Sequence, residues 1–259
     1  MTRETVAAVI PTKNIADIIK PTLDALQFCD EVVIVDMSST DETRRVCESY
    51  PNVHFFERED YIYGNFNFGV EQARSDWIIR IDSDEVISST LAGSIRAVLE
   101  AGNDATHKCY TAEPHLYMFG YRMKYGWGAG SRRPTLFRKG VAQYRVRSEH
   151  EELQSEHPWG HLEGHYDHFT SPTLSDLTTK INYYSDKDAA RSTPGRVRGP
   201  VAMLWNVLHW WLRFYLYPHR SYRDGLPGFA VSVIGAFSII LLDLKMWEKA
   251  QRDRNRDAG

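Results

Sequence analysis

A chain of 259 residues and 29.9 kDa is long enough for one large domain, or one domain with an appendage. Its 42% hydrophobic and 25% charged residues are the mix of a globular protein, which excludes a disordered, collagen-like or coiled-coil chain. The net charge of −3 argues against a general nucleic-acid binder, yet it hides an asymmetry: residues 191–259 hold 11 basic and 5 acidic residues and four of the seven Trp, whereas residues 1–190 hold 20 basic and 29 acidic.

The first hundred residues alternate between two patterns. Residues 5–10 (TVAAVI) are a short apolar run before Pro11, as expected of a buried parallel strand. Residues 16–27 carry Ile18, Ile19, Leu23 and Leu26 at helical spacing. A second strand is predicted over 31–35, followed by DMSSTDET, where Ser39 or Thr40 would cap a helix. Strands are predicted over 52–56 and 77–81, with helices over part of 64–74 and over 90–101. Four such alternations predict a parallel, doubly wound sheet, whose ligands sit beyond the C-terminal ends of the strands. Residues 105–170 are less regular, with a strand-like piece at 134–138, and 174–190 read as an amphipathic helix. A basic Pro/Gly linker (191–200) then leads to two apolar segments, 201–217 and 225–242.

Chemistry is expected where strands end. In IIRIDSDE (78–85) a strand delivers Asp82 and Asp84 onto one loop; two hard oxygen ligands suit Mg²⁺ or Mn²⁺ that also holds phosphate oxygens. An Asp-x-Asp turn alone also serves as an ordinary exposed turn. Asp36 ends the second strand, where a carboxylate could accept hydrogen bonds from a base or ribose; Pro11, Thr12 and Asn14 follow the first. No glycine-rich phosphate loop of either common type is present, which disfavours a P-loop ATPase or a nicotinamide enzyme. His150, His157, His161, His165 and His168 crowd one stretch, but Pro158, Gly160 and Gly164 interrupt the helix that a zinc site of that spacing would need. Cys29, Cys47 and Cys109 are scattered, neither a disulfide framework nor a zinc motif, so a reduced cytosolic setting is expected. The N-terminal apolar run is too short for a signal segment.

Together Pro11-Thr12-Lys13-Asn14, Val35-Asp36-Met37-Ser38-Ser39-Thr40-Asp41 and Ile81-Asp82-Ser83-Asp84-Glu85 resemble the family 2 glycosyltransferases of the GT-A fold. Asn65-Phe66-Asn67-Phe68-Gly69 is similar to that family's Asn-x-Gly helix start. Leu136-Phe137-Arg138-Lys139, His150-Glu151-Glu152-Leu153, His168, Lys180–Ser185 and Asp224-Gly225-x-x-Gly228 resemble a subgroup that includes bacterial lipopolysaccharide core β-1,4-glucosyltransferases. Met37, Ser39 and Ser83 depart from the residues usual there, without removing a ligand.

The resemblance implies a mixed, mostly parallel sheet flanked by helices, and an inverting transfer of a sugar, UDP-hexose being the expected donor, to a lipid-linked or cell-envelope glycan. It implies nucleotide-sugar contacts at Pro11, Thr12, Asn14, Asp36, Ser38, Asn67, Asp82 and Ser83, and an Mg²⁺ or Mn²⁺ at Asp82 and Asp84, with His168 a further ligand. Glu151 would be the base, with Glu149 and Glu152 as rivals. The expected domains are 1–190, catalytic, with nucleotide (1–104) and acceptor (105–190) halves, and 191–259, a basic aromatic extension. In that extension Leu204, Leu208, Trp211 and Tyr215 share a helix face, and 201–247 would meet a membrane surface, on the inner face of the cell membrane, or another copy of the chain. Two rival readings are a sugar-phosphate nucleotidyltransferase and a non-catalytic membrane-peripheral binding protein.

Overall fold

A computed structural model describes residues 3–126, 130–145, 151–192 and 198–257. The chain divides into two compact units: residues 1–114 with 131–168, and residues 115–130 with 169–259.

The first unit opens with the predicted alternation: β1 (Val6–Thr12), α1 (Lys20–Ala25), β2 (Glu31–Asp36), α2 (Thr43–Glu48), β3 (Val53–Glu57), α3 (Ile62–Gln72) and β4 (Trp77–Arg80). β5 (Glu85–Ile87), α4 (Ser89–Ala101, capped by Ser88), β6 (Cys109–Met118), β8 (Arg133–Arg138), β9 (Ala142–Tyr144), β10 (Leu153–Ser155) and β11 (Trp159–Ser171) follow, with the short β7 (Tyr121–Arg122) in the second unit. The sheet order is β3-β2-β1-β4-β8-β6-β11-β5, with β7 beside β6, while β9 and β10 form a separate antiparallel ribbon. β3, β2, β1 and β4 are mutually parallel; β8 then runs antiparallel to β4. The sheet is thus mixed and mostly parallel in its nucleotide-side half, as the GT-A expectation requires.

Both faces of the parallel strands are covered, so every residue of β1 and β2 is buried. The strand period of two divides them: Val6, Ala8 and Ile10 join Leu23, Leu91, Ile95 and Leu99 on one face, and Ala7, Val9, Val33 and Val35 join Phe66 on the other. α3 lies close to the sheet because residue 69 is glycine; a Cβ there would stand 2.5 Å from Val9 Cγ1. β1 continues past Pro11 to Thr12. Its register with β4 ends at Val9, so only β2 pairs beside the proline, whose missing N–H is tolerated there. The histidine-rich stretch lies largely in β11, a strand and not a helix.

In the second unit, α5 (Leu174–Arg191) begins with a Thr173/Asp176 capping box. It shares this unit with α6 (Pro200–Tyr215) and α7 (Gly225–Asp257), and packs against α7. The Asp224-Gly225-x-x-Gly228 motif has a structural role here. Buried Asp224 accepts hydrogen bonds from the Lys124 and Tyr125 amides at 3.1 and 2.8 Å. A Cβ on residue 228 would stand 1.9 Å from the Ser221 carbonyl oxygen, so only glycine lets α7 start against that turn.

Candidate active site

The C-terminal ends of β1 and β2 form one wall. Asp36 and Thr12 end these strands as register partners, both buried. Asp36 Oδ1 accepts hydrogen bonds from Thr12 Oγ1 (2.9 Å) and Ser39 Oγ (2.6 Å), and Oδ2 accepts one from the Ser39 amide (2.7 Å). A carboxylate has about four acceptor positions, so one on Oδ2 is left for a ligand among the described residues. The two loops are laced together. The Asn14 amide donates to Ser39 Oγ, Asn14 Oδ1 accepts from the Thr40 amide, and Asp41 accepts from Ala16 and Thr43. Ser39 and Thr40 therefore serve this lacing, and α2 begins only at Thr43. Asn14 (φ 51°) and Ser38 (φ 55°) both adopt the left-handed conformation that non-glycine residues rarely take. Both lie on the two loops that these hydrogen bonds lace together.

The acidic turn forms the second wall. β4 stops at Arg80, and the chain reverses through Asp82–Glu85, closed by the Glu85 amide on the Asp82 carbonyl at 3.1 Å. Thr22 Oγ1 donates to the Ser83 carbonyl at 2.9 Å, tying the turn to α1. The turn is built around two residues that the sequence reading did not single out. Glu85 is fully buried; its Oε2 accepts from the Asp82 amide at 2.9 Å and meets the Arg80 guanidinium at 3.2 Å. Arg80 also grips the Asp82 carboxylate and the Tyr144 hydroxyl. Burial raises the Glu85 carboxyl above its ordinary value, although Arg80 pulls it the other way. Burial works against the charge on Arg80, but Asp82 and Glu85 outweigh it and hold the guanidinium firmly charged.

Across the antiparallel β5–β11 pair, His168 is the register partner of Glu85. His168 Nε2 lies 3.6 Å from Asp84 Oδ2, while its Nδ1 is buried, 3.8 Å from Glu85, with no hydrogen-bond partner among the described residues. Burial opposes a charge on this imidazole, but hydrogen bonding to Asp84 and the nearby Glu85 carboxylate prevail and raise it above its ordinary value. The structure therefore brings together Asp84 and His168, while Asp82 is engaged by Arg80.

The remaining residues fall as follows. Asn67 uses its amide on the backbone of Tyr144: Nδ2 donates to the carbonyl at 2.8 Å and Oδ1 accepts from the amide at 3.1 Å. That clamp fixes the β9–β10 ribbon, in which Tyr144 opposes Leu153. Glu151 lies two residues before that pair and is half-buried, whereas Glu152 is exposed. Glu149 and His150 lie outside the described residues. A cleft of about 500 Å³ between α3 and the ribbon is lined by Asn67, Glu71, Arg145, Gln154 and His157, among others, but by none of Asp36, Asp82 or Asp84.

Comparison with known proteins identifies the family and the fold. The profile of glycosyl transferase family 2 matches residues 7–148. The chain is 26% identical over 236 residues to the lipopolysaccharide core biosynthesis glycosyltransferase LpsC of Rhizobium meliloti, spanning 88% of this chain and 86% of that one. It is 23% identical to the uncharacterized glycosyltransferase RC0292 of Rickettsia conorii, spanning 97% and 93%. Among solved structures, the mannosyltransferase PcManGT of Pyrobaculum calidifontis, in complex with GDP-Man and Mn²⁺, has a TM-score of 0.52 at 15% identity, covering 95% of this chain and 88% of that one. S. aureus TarS 1–349 with UDP-GlcNAc has a TM-score of 0.50 at 13% identity, covering 96% and 92%. The four parallel strands with their acidic turn, and a family match over more than half its length, make this chain a member of glycosyl transferase family 2.

Proposed function

We propose that this glycosyltransferase is an inverting, metal-dependent enzyme that moves a hexose from a nucleotide-diphosphate sugar, UDP-hexose first among them, to a lipid-linked or cell-envelope glycan. The observation that carries the reading is the meeting of Asp84 and His168 at 3.6 Å beside the Arg80-held Asp82. Family membership sets aside the nucleotidyltransferase and the non-catalytic readings.

One carboxylate oxygen and one imidazole nitrogen, close enough to share a cation, fit a divalent ion; the nitrogen favours Mn²⁺ over Mg²⁺. Asp84 and His168 would hold it, with Asp82 beside them. When bound, such an ion neutralises charge on the leaving diphosphate. The chain's own residues do the rest. Asp36 Oδ2 accepts a hydrogen bond from the nucleoside, within the frame made by Pro11, Thr12, Asn14 and Ser38. The Ser83 peptide, tied down by Thr22, keeps the turn in register. Glu151 takes the proton of the acceptor hydroxyl as the glycosidic bond forms; its partial burial, against the exposed Glu152, favours it as the base. The enzyme would work on the cytoplasmic face of the cell membrane, with residues 201–247 against the lipid.

A thermal-shift panel of UDP- and GDP-sugars with and without Mn²⁺ tests this reading, because a bound donor stabilises by mass action. One nucleotide-sugar should raise the Tm well above the others, more so with Mn²⁺, and nuclear magnetic resonance of the product should give the inverted anomer. Failure of every nucleotide-sugar to stabilise, or a retained anomer, overturns it.

A further inference from the structure

α7 contains a charge-free run of 18 residues, 225–242, long and apolar enough to cross a membrane by length and composition. At about 1.5 Å per residue it is about 27 Å long, near the lower limit for a span. Along this run only Gly228, Ser232 and Ala236 are buried. From these features together with its anchors, we infer that α6 and α7 form a hairpin that lies flat on an anionic bilayer surface and does not cross it. The inference rests on the membrane placement in the proposed function.

Each end of the run is fixed by polar contacts. At its start, Asp224 is clasped by the Lys124 and Tyr125 amides, and the Gly126 amide donates to the His219 carbonyl at 2.9 Å. At its end, buried Asp243 binds Arg198 at 2.5 Å. Lys245 then donates to Asn182 and Ser185 and pairs with Asp186, and Lys249 donates to the carbonyls of Ala189, Ala190 and Ser192. These last partners line the polar helix α5 and its end. The two anchors are themselves joined: the Phe119 amide donates to the Ser171 carbonyl at 2.9 Å, and the Tyr117 and Phe169 rings lie 5.0 Å apart. Both ends of the apolar run are therefore held by one polar body. A span would put those ends on opposite sides of the bilayer, and would break at least one set of charged and backbone hydrogen bonds to do so.

The outward face suits a surface position. Leu204 and Trp205 on α6, respectively four and three residues before Leu208, and Phe229, Val233 and Phe237 on α7, four apart, are exposed, which puts each set on one side of its helix. The inner sides pack together: Phe214 is buried with its ring 3.3 Å from where a Cβ on residue 235 would stand. Arg213, Arg220 and Arg223 are exposed around the hairpin tip. A surface that is apolar, rich in Trp and rimmed by Arg complements an anionic headgroup layer. A second copy would bring two segments of net positive charge together, which opposes self-association.

The test uses the full chain, expressed in bacterial cells, with single cysteines introduced by Tyr222→Cys and Glu248→Cys; both side chains are exposed, and the native cysteines are buried. An in-plane hairpin leaves both sites unlabelled by a membrane-impermeant maleimide in intact spheroplasts and both labelled after lysis, with the protein in the membrane fraction. Labelling of either site in intact spheroplasts shows a span and overturns the inference, leaving the membrane placement standing. With purified protein, flotation on phosphatidylglycerol vesicles but not on phosphatidylcholine vesicles, lost on Trp205→Glu with Phe237→Glu, supports it. Failure to float on either vesicle, or a chain that dimerises through this face instead, overturns the membrane placement and the inference together.

Discussion

The His168 Nε2 and the Asp84 carboxylate lie 3.6 Å apart although 84 positions separate them in the chain. Asp84 comes from the turn after β4, and His168 from the far strand β11, brought over by its pairing with β5. The imidazole is protonated more readily than usual, yet only its neutral form can ligate a cation. Mn²⁺ affinity, read by calorimetry or electron paramagnetic resonance without any substrate, should therefore rise as pH rises through the raised value. His168→Ala should weaken it about 10- to 100-fold, and Asp84→Asn should abolish both Mn²⁺ binding and transfer. The metal-free protein behaves oppositely. A pKa raised by folding stabilises below the ordinary value of about 6.5 and stops doing so as pH climbs through the folded value. The stability advantage of the wild type over His168→Gln should therefore be largest at mildly acid pH and fade above it. An Mn²⁺ affinity indifferent to pH would remove His168 from the ligand set.

Glu151→Gln keeps shape and hydrogen bonding but cannot take a proton. Transfer should fall by about 10²- to 10⁴-fold, the usual contribution of a general base, while the dissociation constant for the nucleotide-sugar stays within about twofold. Glu152→Gln should leave kcat near that of the wild type. Wild-type turnover by Glu151→Gln would move the role to a neighbouring carboxylate, and Glu149→Gln is then the variant to measure.

Asp36 is held by three hydrogen bonds from Thr12 and Ser39, so its two roles are separable. Thr12→Val deletes one donor to a buried carboxylate and should cost about 1–3 kcal/mol of folding stability in urea titrations. Asp36→Asn removes the charge that a nucleoside donor would meet and should weaken nucleotide-sugar binding about tenfold or more by calorimetry. Unchanged affinity in Asp36→Asn would take the nucleoside away from β2.

The sequence made β1 to β4 readable because strands buried on both faces are continuous apolar runs ending in polar turns. Asp36, Asp82 and Asp84 stand out as candidates for the same reason, since they follow such runs where the strands end. Arg80 and Glu85 do not. Alternation marks a charged residue near a strand end as solvent-facing, whereas here the two bury one another, and that pairing exists only once β4 and β5 have turned. A signal was present, since Arg80 is the only charge in an otherwise apolar 77–81. Asn67 has a structural role that its motif does not reveal: its amide holds Tyr144, a partner 77 positions away. The order β4-β8-β6 is equally hidden, because the insertion of an antiparallel strand beside β4 depends on the irregular stretch 105–145.

The Arg80–Glu85 pair is closed off from solvent. The Arg80 side chain is 14% exposed and that of Glu85 is 1% exposed, so removing one partner strands the other's charge in a dry site. Arg80→Met should therefore cost about 3–5 kcal/mol, as breaking a buried pair typically does. Glu85→Gln keeps the hydrogen bond from the Asp82 amide and has the milder effect. The double variant Arg80→Met/Glu85→Gln should be more stable than Arg80→Met alone, because the remaining group is neutral; this non-additivity is what a double-mutant cycle measures. The variants also separate stability from catalysis. Arg80 grips Asp82, so freeing that carboxylate should change Mn²⁺ affinity even in a folded double variant, whereas a purely structural pair would leave it alone. Additive stability losses with unchanged Mn²⁺ affinity would reduce Arg80 to a packing residue.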